Sequence, residues 1–197
     1  MGFTGLQEVL VDQLRDLLGA EKQLVRALPR MVRAAGDEGL REAFSEHLET
    51  TRGHVDRLEK AMKGLGIAIR AKQCKAMKGL IEEGSEIIEQ KEKSEESPLD
   101  AALIAAAQRV EHYEISAYGS ARTFAEVLGH RKAAAILQET LDEESAANEK
   151  LSKLAETINQ AAAHGAEESG EEGGLHAGGR NGRRPSNSRH RPVVSSR

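Results

Sequence analysis

The sequence predicts an all-α fold, a bundle of four long antiparallel helices with one extra helical segment between its two halves. Three observations predict it. Ala, Leu, Glu, Lys and Arg dominate, which is a helix-former's composition. Hydrophobic residues make up 39% of the chain but aromatic residues only 3%, with no tryptophan, so the core must come from Ala and Leu, which suits closely packed helices better than a sheet sandwich. Apolar residues also recur in alternating steps of four and three along four long stretches.

The first stretch starts near Thr4, whose spacing from Gln7 is that of a capping box. Its face is Leu10, Leu14, Leu17, position 21, Leu24, Leu28, Met31 and Ala35. Gly36 is placed to end it, and Pro29 is expected to kink it or fray its last part. Asp37 is placed to cap a second helix with the face Phe44, Leu48, Thr51, Val55, Leu58 and Met62, closed by Gly64 and Gly66. A shorter segment, from about Gln73 to Lys93, carries a stripe of Met77, Leu80, Ile81, Gly84, Ile87 and Ile88. Ser97-Pro98-Leu99-Asp100 reads as a helix start, with a Ser cap, Pro at the first helical position and an acid in the first turn. The face that follows is Leu103, Ala107, Val110, position 114, Ala117, Ala121, Phe124 and Leu128, ended by Gly129. The last long helix presents Leu137, Thr140, position 144, Ala147, Leu151, Leu154 and Ile158.

Two helical hairpins joined by a long crossover form a ferritin-like antiparallel four-helix bundle, with the extra helical segment in the crossover. The bundle is assigned to residues 4–162. Residues 163–197 are rich in Gly, Arg and Ser with almost nothing to bury, and are expected to form a disordered tail. The net charge of −4 gives no general attraction to nucleic acid or anionic membrane. The tail's six arginines lack aromatic neighbours for stacking, so nucleic-acid binding is not expected. A single cysteine, Cys74, allows no internal disulfide. With no basic leader before an apolar run and no stretch of roughly 18 apolar residues, the expectation is a cytoplasmic protein without membrane contact.

Three of the apolar seams are broken by the same residue type. Glu21 stands between Leu17 and Leu24, Glu114 between Val110 and Ala117, and Glu144 between Thr140 and Ala147. At about 100° per residue these side chains point into the core. An ionised carboxylate is costly to bury uncompensated, and three near one bundle's middle repel one another. Protonation, arginine partners or metal cations would each resolve this. On the second helix His47, Thr51, His54 and Leu58 form a 4-3-4 stripe that places both histidines on one flank of the core. Glu111, three residues before Glu114, also leans inward, and Tyr118 is spaced to hydrogen-bond a ligand carboxylate.

Each feature has a plainer explanation. A single Glu in a helix is more often a half-exposed ion-pair partner, and a boundary histidine is often only hydrogen-bonded to its neighbours. Glu46 and Glu49 point outward, Cys74 reads as a small buried residue, and Glu92, Glu95 and Glu96 as a solvated loop. Three carboxylates in register, in the pairing a bundle site requires, favour a metal centre formed by Glu21, His47, His54, Glu111, Glu114 and Glu144.

The segments Gly19-Ala20-Glu21-Lys22-Gln23-Leu24, His47-Leu48-Glu49, Cys74-Lys75-Ala76-Met77 and Val110-Glu111-His112-Tyr113-Glu114-Ile115, with Tyr118-Gly119, resemble the YciE/YciF family of bacterial ferritin-like stress proteins over about residues 4–160. The resemblance implies a ferritin-like bundle, a two-metal centre, homodimers and a link to stress responses. One departure stands out. The general ferritin-like pattern carries Glu-x-x-His on two helices, but Glu144 is followed by Ala147, and Thr51 takes the Glu place ahead of His54. The centre is therefore expected to be rich in carboxylates and poor in histidine, or completed by His47, Glu111 and water.

The functional expectation is a carboxylate-bridged pair of metal ions, iron foremost, with manganese or zinc as alternatives. Oxygen or peroxide is the expected small-molecule partner, in an oxidative-stress role. No nucleophile or positioned base stands apart from this cluster, so turnover is not implied. The alternative is a metal-free structural or interaction bundle that acts through dimerisation, its acids paired with Arg or Lys; a third, less favoured reading is a DNA-associated stress protein whose Arg-rich tail contacts phosphates.

Overall fold

The computed structural model describes residues 2–171, with side chains described to residue 164. All regular structure in this range is helical. The elements are α1 (Leu6–Ala34), α2 (Glu38–Gly64), α3 (Lys75–Ile88), a short 3-10 turn (Lys91–Lys93), α4 (Glu96–Val127) and α5 (Arg131–Glu171). Connections of three residues join α1 to α2 and α4 to α5, so each pair folds back on itself as a hairpin. α1 packs on α2 and α4, and α5 packs on α2 and α4, which closes a ring of four helices. α3 lies against α1 and α4 on the outside of that ring.

The helix ends show why the chain turns where it does. Asp37 caps α2 as expected, its Oδ1 accepting from the Leu40 N–H at 2.8 Å. Gly66 and Gly129 both adopt positive φ, +69° and +78°. Each starts the same closure: Gly66 N–H donates to the Lys63 carbonyl and Ile67 N–H to Met62, while Gly129 donates to Glu126 and His130 to Ala125. Only a residue without Cβ enters this region at no cost, and the two bonds satisfy carbonyls that the helix leaves free.

Several local expectations shift. Gly5, not Thr4, stands at the α1 cap, and Glu8, not Gln7, reaches back, accepting from Thr4 N–H at 2.7 Å and Thr4 Oγ1 at 2.9 Å. α1 runs unbroken through Pro29, packed with its partners over its full length. α4 begins at Glu96, with Ser97 and Pro98 already inside its first turn. Pro98 loses nothing there, because first-turn N–H groups have no partner within the helix. α3 is shorter than expected and ends at Ile88. Its cap is Cys74, a buried residue whose Sγ accepts from Met77 N–H and meets the Tyr113 hydroxyl at 3.0 Å. α5 continues to Glu171, nine residues past the boundary read from the sequence, carried by helix-forming Ala and Glu. The rest of the expected disordered tail, 172–197, lies outside the described residues.

Two contacts lock the connections. The carboxylate of Asp100, 1% exposed, accepts from the backbone N–H groups of Gly36 and Asp37 at 2.9 and 2.7 Å, which ties the first hairpin's turn to α4. The segment before α3 crosses α1 at Gly19, where a Cβ would lie 1.7 Å from the Lys72 carbonyl oxygen. That carbonyl's own residue donates its N–H to the Arg15 carbonyl at 2.9 Å. Among the described residues, no helix is long and apolar enough to cross a membrane.

Candidate metal centre

Glu21, His54, Glu114 and Glu144 are fully buried, Glu111 is 2% exposed, and the His47 side chain is 10% exposed. They come from all four long helices: Glu21 on α1, the histidines on α2, Glu111 and Glu114 on α4, and Glu144 on α5. The structure brings all six together as two overlapping groups. His47, Glu111, Glu114 and Glu144 form one, and Glu21, His54 and Glu144 the other. In each group every residue offers a ligand atom within 4.8 Å of the others, and Glu144 belongs to both.

The second group is the tighter. His54 Nδ1 lies 2.9 Å from Glu144 Oε1 and 3.5 Å from Glu21 Oε1. On its other side, His54 Nε2 meets Glu143 Oε2 at 2.9 Å. Glu143 in turn pairs with Arg57, which also holds Glu139 at 2.6 Å. This chain fixes the imidazole's orientation from outside the core. Tyr118, fully buried, donates its hydroxyl to Glu21 Oε1 at 2.5 Å. Thr51, in the place of a carboxylate in the general pattern, turns its hydroxyl to the His47 carbonyl at 2.7 Å. The first group is looser, with His47 Nε2 3.4 Å from Glu111 Oε1.

The electrostatics follow from burial. Loss of water, with Glu144 and Glu21 as neighbours, pushes Glu111 well above the ordinary carboxylate range. Burial beside Glu21 and Glu144 does the same to Glu114. Burial also raises Glu21, against the partial opposition of His54. Burial opposes charge on His54 too, but contacts with Glu144 and Glu21 prevail and push it up to about 10. For Glu144 burial is outweighed by His54, which leaves its carboxyl below the usual range. Burial lowers His47, so its ring is neutral near pH 7. Burial thus pushes Glu21, Glu111 and Glu114 up, while contact with His54 holds Glu144 down.

Hydrogen bonding leaves much of this cluster unsatisfied. One buried oxygen of Glu21 and of Glu111, both oxygens of Glu114 and of Glu144, and His47 Nε2 and His54 Nδ1 have no hydrogen-bond partner. His54 Nδ1 is close to Glu144 yet not aligned for a hydrogen bond to it. Buried polar atoms are nearly always paired. Atoms that converge without bonding one another are arranged as ligands around common points, and carboxylate with imidazole is a donor set for iron, manganese or zinc. No Lys or Arg forms an ion pair with Glu21, Glu111, Glu114 or Glu144 among the described residues. These buried His and Glu groups could therefore hold a metal ion.

The sequence did not single out Glu143 or Arg57, and it marked Asp100 only as a first-turn acid. Arg57 and Glu143 lie on facing, half-exposed flanks of α2 and α5, and no periodicity marks such a pairing across helices. Glu46 and Glu49 are exposed as expected, with Glu49 paired to Arg52 and Glu46 to Lys150. Glu92, Glu95 and Glu96 are exposed as expected, but Glu96 opens α4 and Glu92 lies in the 3-10 turn.

The chain resembles known proteins over nearly all of this architecture. Protein YciF of Escherichia coli K12 is 49% identical over 156 residues, which cover 79% of this chain and 93% of that protein. The crystal structure of the E. coli stress protein YciF matches with a TM-score of 0.77 at 46% identity, over 80% of this chain and 99% of its own. The Rhodopseudomonas palustris protein YcfI matches with a TM-score of 0.72 at 39% identity, over 77% and 98%. A Xanthomonas campestris protein at 20% identity and a TM-score of 0.65, covering 83% of this chain and 99% of its own, shares the fold. Residues 5–164 match the domain of unknown function DUF892, and the chain belongs to this family of YciF-like proteins.

Proposed function

We propose that the four long helices form a ferritin-like antiparallel bundle whose converging Glu and His side chains would hold two metal ions, iron or manganese, with Glu144 common to both groups of ligands, in a protein that serves in the response to oxidative stress. The observation that carries this reading is the set of eight buried, unpartnered oxygen and nitrogen atoms on the six converging side chains. A bound pair of such ions supplies redox and Lewis-acid chemistry toward oxygen or peroxide. The stress role rests on the description of E. coli YciF as a stress protein.

The chain's own residues divide the work. Glu144 faces both groups and neutralises charge in each. Tyr118 holds Glu21 in one orientation through its hydroxyl. The Glu143–Arg57 pair turns the His54 ring so that Nδ1 faces the core. Glu111 and Glu114, raised by burial, would have to be deprotonated to hold a cation. The flanking apolar layers keep bulk water from the centre.

The second reading, a metal-free interaction module, draws support from the charged His54, which offsets Glu144 and part of Glu21. It leaves Glu114 without any partner. Elemental analysis of purified full-length protein separates the two. Wild type is expected to carry two ions per chain, one for each group of ligands. Glu21→Ala is expected to lose the ion of its own group, and Glu144→Ala both. Wild type without stoichiometric metal, and with a melting temperature unmoved by added iron or manganese, would establish the module instead.

A further inference from the structure

Beside the carboxylate cluster the core is hollow. A cavity of about 370 Å³ runs along α1 from Leu24 to Met31, along α2 from Ala43 to Thr50 and along α5 from Glu143 to Leu151. At 1.5 Å per residue that is about 10 Å of helix. The hollow exists because facing positions carry alanine: Ala43 on α2, Ala106 and Ala107 on α4, Ala146 and Ala147 on α5. Longer side chains form the rest of the wall, among them Leu28, Phe44, Ile81, Val110 and Leu151. The hollow opens to the surface at a mouth lined by the exposed side chains of Arg30, Glu46 and Lys150, while its inner wall is largely apolar and can take up an apolar chain.

One end of the cavity is polar, and it is unsatisfied. His47 and Glu111 line it there, their side chains 10% and 3% exposed. His47 Nε2 and Glu111 Oε2 both lack a hydrogen-bond partner. A hydroxyl both donates and accepts, so it can donate a hydrogen bond to a Glu111 carboxyl oxygen and accept one from the imidazole N–H. An anionic head group would instead add charge to a cluster already rich in acids.

We infer that this cavity is a binding site for a neutral, oxygen-headed aliphatic molecule, an alcohol or an alkyl peroxide, with its head at His47 and Glu111 and its chain along the alanine-lined hollow. The inference concerns the protein without metal and does not depend on the metal reading.

The probes are straight-chain primary alcohols from hexanol to dodecanol, titrated calorimetrically into metal-free, full-length protein. Affinity is expected to rise about fourfold per added methylene until the hollow is filled. Decanol is expected to bind at least about tenfold more tightly than decanoate, whose charge meets the acid cluster. Ala107→Leu and, separately, Ala43→Leu fill the hollow and are expected to weaken decanol binding at least about tenfold while the melting temperature holds or rises. Two variants on different helices guard against one that misfolds. Both keep all six candidate ligands, so their metal uptake, measured alongside, reports on the centre separately from the cavity. Affinity independent of chain length, or unchanged in the folded filling variants, would overturn the site, and tighter binding of decanoate would overturn the assignment of its head group.

Discussion

Replacing Glu114 by methionine is expected to stabilise the metal-free protein and to weaken its response to metal. Glu114 is fully buried and neither of its carboxyl oxygens has a hydrogen-bond partner. A buried polar group left unsatisfied costs about 1–3 kcal/mol, and replacing such a group by an apolar one of similar shape relieves that cost. Methionine is unbranched and polarisable, so it can follow the glutamate's path with little strain. A gain of about 2 kcal/mol corresponds to a rise in melting temperature of roughly 4–8 °C for a chain of this size. With metal the order reverses. At a free metal concentration about a hundredfold above the dissociation constant, wild type gains about 2.7 kcal/mol, and the variant, short of one ligand in the larger group, gains much less. Thermal melts of both proteins, with chelator and then with iron(II) or manganese(II), read this crossover directly. A variant that melts lower than wild type in chelator would show that Glu114 is well paired in the native protein, and equal metal-induced shifts would remove it from the ligand set.

Three further outcomes follow from the same geometry. Glu111 and Glu114 hold protons above the usual carboxylate range in the folded, metal-free protein, so their contribution to stability is complete below the unfolded value and is lost as pH rises through the folded one; metal must displace these protons, so the metal-induced rise in melting temperature should grow from about pH 5 to about pH 8. Tyr118→Phe removes the donor to Glu21 Oε1 and should weaken metal affinity about 10–100-fold by competition titration, with the helical content by circular dichroism unchanged. Asp100→Ala breaks two hydrogen bonds from backbone N–H groups to a buried carboxylate and should cost about 3 kcal/mol in denaturant unfolding while metal stoichiometry stays as in wild type.

The features legible in the sequence are those that periodicity carries. Glu21, Glu114 and Glu144 announce themselves because each interrupts an apolar seam that a helix must turn inward, and the structure buries all three completely. Gly66 and Gly129 are readable for a similar reason, since a helix end with a left-handed residue has a local chemical signature. Asp100 reads from sequence only as a first-turn acid, because its partners, the N–H groups of Gly36 and Asp37, lie more than sixty residues away. Gly19 is the same case. Nothing local marks it, and its meaning comes from the Lys72 carbonyl that crosses it. Pro29 is the reverse case: its local preference suggests a kink or a frayed last part, and α1 continues past it to Ala34 without fraying. The start of α4 shows the limit of capping patterns, which place a boundary only to within a residue or two.

The packing also explains how a fold can hold so many unsatisfied acids. The core is not one continuous oily column. One apolar cluster gathers Leu10, Leu14, Leu17, Leu58, Met62 and Leu137 at the end of the bundle where α1 begins and α2 ends. Another gathers Ala34, Leu40, Phe44, Leu103, Leu151 and Ile158 at the opposite end. Glu21, His54, Glu114 and Glu144 lie between them, near the middle of their helices. Each apolar end can hold its helices together without help from the middle, and the short hairpin turns at the two ends add further closure. The polar layer is then free to be poorly satisfied, since separating its charges would require opening both clusters at once. A ligand layer that contributed to folding would be paired within itself, as His54 is with Glu143; one held by its neighbours in an unfavourable state is suited to a cation, which gains what the fold alone leaves unmet.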